Sequence, residues 1–226
     1  MDKQIVIAID GPAGAGKSTT AKEIALQLGY KYIDTGAMYR AITLLALESN
    51  IEMDSEEELT RIAQKAEINF APLRPEKNIV FLNDRDVTDE IRTTIVNENV
   101  SLVARVAGVR EALVEKQRLM AQSGGVVMDG RDIGTVVLPL ADLKIFLTAS
   151  LRTRAKRRMV EMQARGEKVK LEEIESNLKT RDSIDSKREV APLKKADDAI
   201  EIDTSGYTIE QVVKKIINLA QEVVYE

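Results

Sequence analysis

Short apolar runs alternate with amphipathic stretches along this chain, and the alternation predicts its secondary structure. Uninterrupted apolar runs favour strands covered on both faces, and apolar residues that recur every three or four positions favour helices. The predicted strands are residues 4–9, 31–33, 126–128, 143–147 and 199–202. The predicted helices are residues 18–28, 37–48, 55–66, 94–105, 109–122 and 208–224. Strands that alternate with helices predict an α/β fold, with a parallel sheet covered on both faces.

Residues 67–88 break this alternation. They contain two prolines, the apolar run Ile79-Val80-Phe81-Leu82 and the turn candidate Asn83-Asp84. Short apolar runs bounded by such turn residues are typical of antiparallel strands. We therefore expect a small antiparallel piece within a single α/β domain, for which 226 residues supply one well-filled core.

The chain contains neither cysteine nor histidine, which limits the chemistry it can perform. Without cysteine there is no disulfide, thiolate metal site or thiol nucleophile. Without histidine the usual general base and the commonest ligand of transition metals are missing. Any chemistry must use Lys, Arg, Asp, Glu, Ser and Thr, together with a hard cation such as magnesium.

Charge is unevenly distributed along the chain. The formal net charge of −4 gives no reason to expect nucleic-acid binding. Residues 152–195 nevertheless contain 14 Lys and Arg against 8 Asp and Glu, which suits a small polyanion. No apolar run approaches the roughly 20 residues that cross a bilayer, and the N-terminus lacks the features of a signal peptide. We expect a cytoplasmic monomer that does not bind membranes.

The strongest motif lies between the first predicted strand and the first predicted helix. Gly11-Pro12-Ala13-Gly14-Ala15-Gly16-Lys17-Ser18 matches the phosphate-binding loop G-x-x-x-x-G-K-[ST]. In such a loop, backbone N–H groups surround phosphate, the lysine reaches the β- and γ-phosphates of ATP, and the hydroxyl binds Mg²⁺. We therefore assign the loop and Thr19 to ATP binding, with Ser18 as a ligand of Mg²⁺. The alternative is a glycine-rich turn with an incidental lysine, which the flanking strand and helix disfavour.

Two aspartates at predicted strand ends are candidates for holding the hydrated Mg²⁺. Asp10 directly precedes the loop, and Asp129 follows the apolar residues 126–128 as a Walker-B aspartate does. An ordinary aspartate in a turn is the alternative for Asp129. The sequence leaves the choice between the two carboxylates open.

Four later segments, together with the loop, resemble the bacterial cytidylate kinase family. They are DTGAMYR (34–40), VREAL (109–113), DGRDIGTVV (129–137) and RDSIDSKREVAPL (181–193). The resemblance covers essentially the whole chain. It implies a five-stranded parallel core, an insert at roughly 60–100 that binds the nucleoside monophosphate, and a helical lid at roughly 150–190. It also implies transfer of the γ-phosphate of ATP to CMP and to dCMP.

This resemblance implies that a set of arginines binds the phosphates. Arginine suits a phosphate monoester because its planar guanidinium donates two parallel hydrogen bonds. The acceptor phosphate is implied to bind Thr35, Arg40, Arg131 and Arg188. Arg181 is implied to bridge toward the transferred phosphoryl group, and the implied catalytic set is Lys17, Arg131, Arg181 and Arg188.

The resemblance also implies which residues bind the nucleoside. Ser101, Arg110 and Asp132 are implied to read cytosine, and Asp185 is implied to bind the ribose. A carboxylate can accept a hydrogen bond from the exocyclic amine of cytosine, which fits Asp132. The alternative for Arg110 and Ser101 is a solvated helix face.

Other functions remain as alternatives. Arg152, Arg154, Arg157 and Arg158 are either a solvated helix side or lid residues that close over ATP, and the sequence does not say which of them does so. A related kinase could act on UMP, AMP or shikimate, and a nucleotide-dependent switch is a further class. The guanine motif N-K-x-D and the transporter motif LSGGQ are both absent.

Overall fold

Five parallel strands form the central sheet in the computed structural model, which describes residues 4–75, 77–164 and 166–225. The strands in chain order are β1 (Val6–Asp10), β2 (Lys31–Asp34), β3 (Ile68–Phe70), β4 (Val80–Leu82), β5 (Arg85–Asp86), β6 (Val126–Gly130), β7 (Leu143–Thr148) and β8 (Ile200–Asp203). The central sheet has the order β2-β6-β1-β7-β8, and all its neighbouring strands are parallel. The predicted five-stranded parallel core is confirmed.

Helices cover both faces of this sheet. They are α1 (Lys17–Leu28), α2 (Thr35–Glu48), α3 (Glu56–Lys65), α4 (Thr94–Val103), α5 (Ala107–Ala121), α6 (Leu151–Ala164), α7 (Leu171–Lys187) and α8 (Ile209–Tyr225). Because side chains alternate along a strand, Ile7 and Ile9 pack with α1 and α8, whereas Ala8 packs on the opposite face with α2 and α5. The two apolar cores that result hold the sheet in place.

The segment at 67–88 forms a small antiparallel sheet of the order β3-β4-β5, as predicted. Its tight turn contains no glycine. Asn83 and Asp84 instead adopt φ values of 48° and 64°, which these two residue types tolerate better than other side chains.

Two local features were not indicated by the sequence pattern. The Ser55 hydroxyl donates to the side chain of Glu58 at 3.2 Å and does not cap a backbone N–H of α3. Residues 133–137 form a five-residue π-turn after β6 that no periodic pattern indicated. No helix within the described ranges is long and apolar enough to cross a membrane.

We predict that two leucines of α5 differ sharply in their contribution to stability. Leu113 is fully buried in the larger core, whereas Leu119 is 63% exposed. Leu113→Ala should lower the free energy of unfolding by about 2–5 kcal/mol, because it removes buried methyl groups and leaves a cavity. Leu119→Ala should change it by less than about 0.5 kcal/mol. Urea denaturation measures both, and similar losses would contradict the packing of α5.

Candidate active site

A cavity of about 420 Å³ lies at the carboxyl ends of β1, β2 and β6. Ligands of open α/β sheets bind at this end of the strands. The cavity is lined by the phosphate-binding loop and by residues from α2, α4 and α7. Eight of its lining side chains are cationic and five are acidic, so it favours an anionic ligand.

The phosphate-binding loop forms one wall of this cavity. Its glycines Gly14 and Gly16 have φ values of 76° and 92°, which a residue with a side chain rarely adopts. Lys17 is buried, and its ammonium group donates to the carbonyl of Pro12 at 2.9 Å. The lysine therefore lies folded over its own loop, next to the space that a phosphate chain would fill.

Ser18 and Asp129 bring a hydroxyl and a carboxylate together beside Lys17. The Ser18 hydroxyl donates to Asp129 Oδ2 at 3.0 Å, and the Tyr32 hydroxyl donates to Asp129 Oδ1 at 2.8 Å. Asp10 lies apart from this pair, because its carboxylate accepts hydrogen bonds from the backbone N–H groups of Ile133 and Gly134. Of the two candidate carboxylates, Asp129 is the one beside Ser18.

Oxygen donors of this kind fit Mg²⁺, which is held by few protein groups and completes its shell with water and phosphate oxygens. The Ser18 hydroxyl and the Asp129 carboxylate are oxygen donors of this kind.

Burial and nearby charges shift the pKa values of this group. Burial raises the pKa of Asp129 above its usual range, and the nearby Asp34 carboxylate raises it further. Burial lowers the pKa of Lys17, and the nearby Arg131 lowers it further. Both shifts express the cost of burying charges, and an anionic ligand would lessen that cost for the lysine.

Ion pairs to aspartates position three arginines around the cavity. Arg131 donates to Asp185 at 2.8 Å, and Arg40 donates to Asp34 at 3.1 Å. Arg92, which precedes α4, approaches the same Asp34 carboxylate at 3.7 Å. Asp34 also accepts from the backbone of Ala37 and so caps α2.

Two of the cavity arginines have unsatisfied donors. The Nε atoms of Arg40 and Arg181 are buried and have no hydrogen-bond partner among the described residues. Arg181 also makes no ion pair with any part of the chain that the structure describes. Burial lowers its pKa to about 10, and the neighbouring Arg131 contributes. Buried unpaired donors are costly, so these two point to a missing anionic partner.

Asp132 is held at the other end of the cavity between two arginines. Its carboxylate accepts from Arg110 at 2.5 Å and from Arg188 at 3.2 Å. The Arg110 guanidinium is 3% exposed and lies 5.7 Å from the ring centroid of Tyr39. Arg110 is thus not on a solvated helix face, and that alternative is wrong.

The arginines at the start of α6 have different surroundings. Arg154 is buried, donates to the carbonyl of Ala13 at 3.0 Å and pairs with Asp182 at 2.7 Å. Arg157 donates to the Thr204 carbonyl at 2.8 Å, while Arg152 is exposed. Arg158 lines the cavity itself. The two inner arginines support the loop from behind, and Arg158 faces the ligand space.

All the predicted acceptor residues line this single cavity: Thr35, Arg40, Ser101, Arg110, Arg131, Asp132, Arg181, Asp185 and Arg188. From the loop the lining includes Ala13, Gly14, Gly16, Lys17, Ser18 and Thr19, but not Gly11, Pro12 and Ala15. The Thr35 hydroxyl donates to the Asp129 carbonyl at 2.7 Å.

Sequence reasoning missed Tyr39, Arg92 and Asn97, which also line the cavity. Tyr39 lies inside the segment DTGAMYR and could have been found there. Arg92 belongs to a short 3₁₀ turn without apolar periodicity, so no sequence signal marked it.

Comparisons with known proteins give the family. The family model described as cytidylate kinase matches residues 7–222. A curated relative named cytidylate kinase from Bacillus cereus is 51% identical over 223 residues, which are 99% of each chain. One of the same name from Bacillus cytotoxicus is 52% identical over 222 residues, which are 98% of each chain. The chain belongs to the cytidylate kinase family. The resemblance stated from its motifs is confirmed.

A solved structure supports the fold of this cytidylate kinase family member. The shikimate kinase from Bacteroides thetaiotaomicron aligns with 97% of this chain and 99% of its own, with a TM-score of 0.50 and 14% identity. At that identity the likeness concerns the fold alone, which is that of a kinase with a phosphate-binding loop.

We predict that the first glycine of the loop is required for close packing and not only for its backbone angle. A Cβ added at Gly11 would lie 1.9 Å from the Leu147 carbonyl oxygen, whereas one at Gly29 would meet nothing within 4 Å. Both residues have positive φ. Gly29→Ala should therefore cost only the conformational strain of about 1–2 kcal/mol. Gly11→Ala should cost more than about 4 kcal/mol, because the strand must also move. Urea unfolding of both variants measures the difference, and equal losses would refute the contact.

Proposed function

We propose that this chain transfers the γ-phosphate of ATP to CMP, giving ADP and CDP, and that dCMP is a further acceptor. The observation that carries the proposal is the single cavity, which joins the phosphate-binding loop to Asp132 and to two arginines whose Nε atoms are buried and unpaired. Membership in the cytidylate kinase family supports the choice of acceptor.

In this proposal the loop binds the donor. Its N–H groups and Lys17 hold the phosphates of ATP, and Ser18 and Asp129 would together hold the hydrated Mg²⁺. Mg²⁺, when bound, neutralises charge that develops on the transferred phosphoryl group. Arg158, which lines the cavity from α6, is the lid arginine that we expect to contact the donor phosphates.

The acceptor phosphate binds to Arg40, Arg131 and Arg188, with Thr35 beside them. Arg181 bridges toward the transferred group, because the buried Nε of its guanidinium is unpaired. A phosphate oxygen of CMP forms the new bond to the γ-phosphorus. The bond from that phosphorus to the bridging oxygen breaks, and its electron pair leaves with ADP. No general base is needed, because the second pKa of a phosphate monoester, about 6, leaves the nucleophile mostly dianionic at neutral pH.

The nucleoside lies at the far end of the cavity. Asp132 accepts from the exocyclic amine of cytosine, with Ser101 and Arg110 completing the base site, and Asp185 binds the ribose. UMP presents an acceptor oxygen where CMP presents this amine, so a carboxylate repels it. Arg188 pairs with Asp132 and therefore contacts the base end as well as the phosphate.

Several larger features stay predictions. The insert at 60–100 is proposed to bind the acceptor, and the lid at 150–190 is proposed to close over the donor, which excludes water as a competing acceptor. A monomeric state and a cytoplasmic location are proposed as well.

The decisive experiment measures ADP release from ATP with a panel of acceptors. We expect turnover with CMP, less with dCMP, and little with UMP, AMP or shikimate, with CDP identified by chromatography. Lys17→Ala, prepared in parallel, should lose roughly 100-fold or more of the activity, because it removes the cation beside the transferred phosphate. ATP hydrolysis without transfer would favour a nucleotide-dependent switch, and equal activity of Lys17→Ala would exclude the assigned donor site.

We predict that Asp132 sets the preference for CMP over UMP. Asp132→Ala removes the carboxylate that accepts from the cytosine amine, so kcat/KM for CMP should fall by roughly 100-fold or more. The residual rate with UMP should fall much less, because UMP gains nothing from that carboxylate. Steady-state kinetics with both acceptors tests this. An equal loss for both would mean that Asp132 does not read the amine.

A further inference from the structure

We infer that Asp10 is a positioning residue for the base-reading end of the site. Asp10 is the last residue of β1 and is 5% exposed. Its Oδ1 accepts from the N–H of Ile133 at 2.8 Å, and its Oδ2 accepts from the N–H of Gly134 at 2.7 Å. One buried carboxylate therefore holds the first two N–H groups of the π-turn at 133–137.

This turn starts directly after Asp132 and is closed by the backbone of that residue. The Asp132 carbonyl accepts from the N–H groups of Val136 and Val137 at 2.9 and 3.1 Å. The Asp132 side chain extends into the cavity, where it meets Arg110 and Arg188. A shift of the turn would therefore move the carboxylate against fixed arginines.

The turn packs closely against Asp10 and Lys144 at Gly134. A Cβ there would lie 3.2 Å from Cδ of Lys144 and 3.4 Å from Oδ2 of Asp10. The turn thus packs between the aliphatic part of the Lys144 side chain and the Asp10 carboxylate. These contacts set the distance between the turn and the sheet.

Asp10 does not belong to the site that it supports. It is absent from the cavity lining, and both its oxygens are engaged by the turn. It therefore acts through Asp132 and not on a ligand. Since Gly11 follows it directly, the start of the donor loop and the base-reading turn share one anchor. This inference rests on the proposed function, because it assumes that Asp132 reads the acceptor base.

The test replaces Asp10 by asparagine, which keeps the shape but turns one acceptor into a donor that faces a backbone N–H. In Asp10→Asn the ratio of kcat/KM for CMP to that for UMP should fall roughly tenfold, because a small displacement of a specificity group is costly. A merely structural role would lower both acceptors equally and leave the ratio unchanged, and that result would overturn the inference.

A double-mutant cycle with Asp132→Ala gives a second readout. If Asp10 acts through Asp132, Asp10→Asn should not reduce the CMP preference further once Asp132 is alanine, so the two effects are not additive. Additive effects would overturn the inference. Asp142→Asn serves as the control, because Asp142 also accepts a backbone N–H, that of Val6 at 2.8 Å, near the opposite end of β1. It should leave the ratio unchanged.

Should Asp10→Asn not fold, Gly134→Val tests the same contact from the turn side. Its side chain extends beyond a Cβ that would already lie 3.2 Å from Lys144 Cδ and 3.4 Å from Asp10 Oδ2. It should therefore displace the turn and lower the CMP preference roughly threefold, whereas a folded variant with the wild-type ratio would overturn the inference. If Asp132→Ala fails to reduce the CMP preference, the proposed reading of the base fails and this inference with it. If Asp132→Ala reduces it and Asp10→Asn does not, only the inference fails.

Discussion

The parallel register of β1, β2 and β6 is the constraint on which the rest of the site depends. In this register Asp10 lies beside Gly130, and Asp34 lies beside Asp129. Three carboxylates from three strands therefore meet at one edge of the sheet. Each stabilises a different neighbour, since Asp10 holds a backbone turn, Asp129 accepts from Ser18 and Tyr32, and Asp34 holds Arg40. A slip of one residue would break all three arrangements at once.

The charges around the cavity are incomplete without a ligand. Asp34, Asp132 and Asp185 each pair with at least one arginine, but Arg181 has no such partner among the residues with a described position. Its Nε is also a buried donor without a partner, and such a donor is costly. A phosphate placed among these groups would satisfy donors that the folded chain leaves open. The same unpaired donors thus favour binding of a phosphate.

The sequence was sufficient where the signal is local or periodic. The loop at 11–18 follows from its motif, and the five strands follow from apolar runs whose bounds differ from those observed by at most two residues. The family resemblance predicted the residues that bind the acceptor, and the fold brings these residues to one cavity. What the sequence could not supply was contact between distant residues. Arg110 and Asp132 are 22 positions apart, and only the packing of α5 against the sheet tells whether that arginine is buried or solvated.

Asp10 and Asp129 illustrate why the sequence alone did not predict the rest of the site. Both follow an apolar strand and lie beside the same loop, so their sequence contexts are nearly equivalent. Their surroundings differ because the π-turn folds over β1 and supplies two N–H groups to Asp10, whereas β6 ends opposite Ser18. Phosphoryl transfer needs little covalent chemistry from the protein, so a chain without histidine loses nothing essential. The reaction requires correctly positioned groups and neutralised charge. In this protein, buried carboxylates set the positions of both the arginines and the backbone turn.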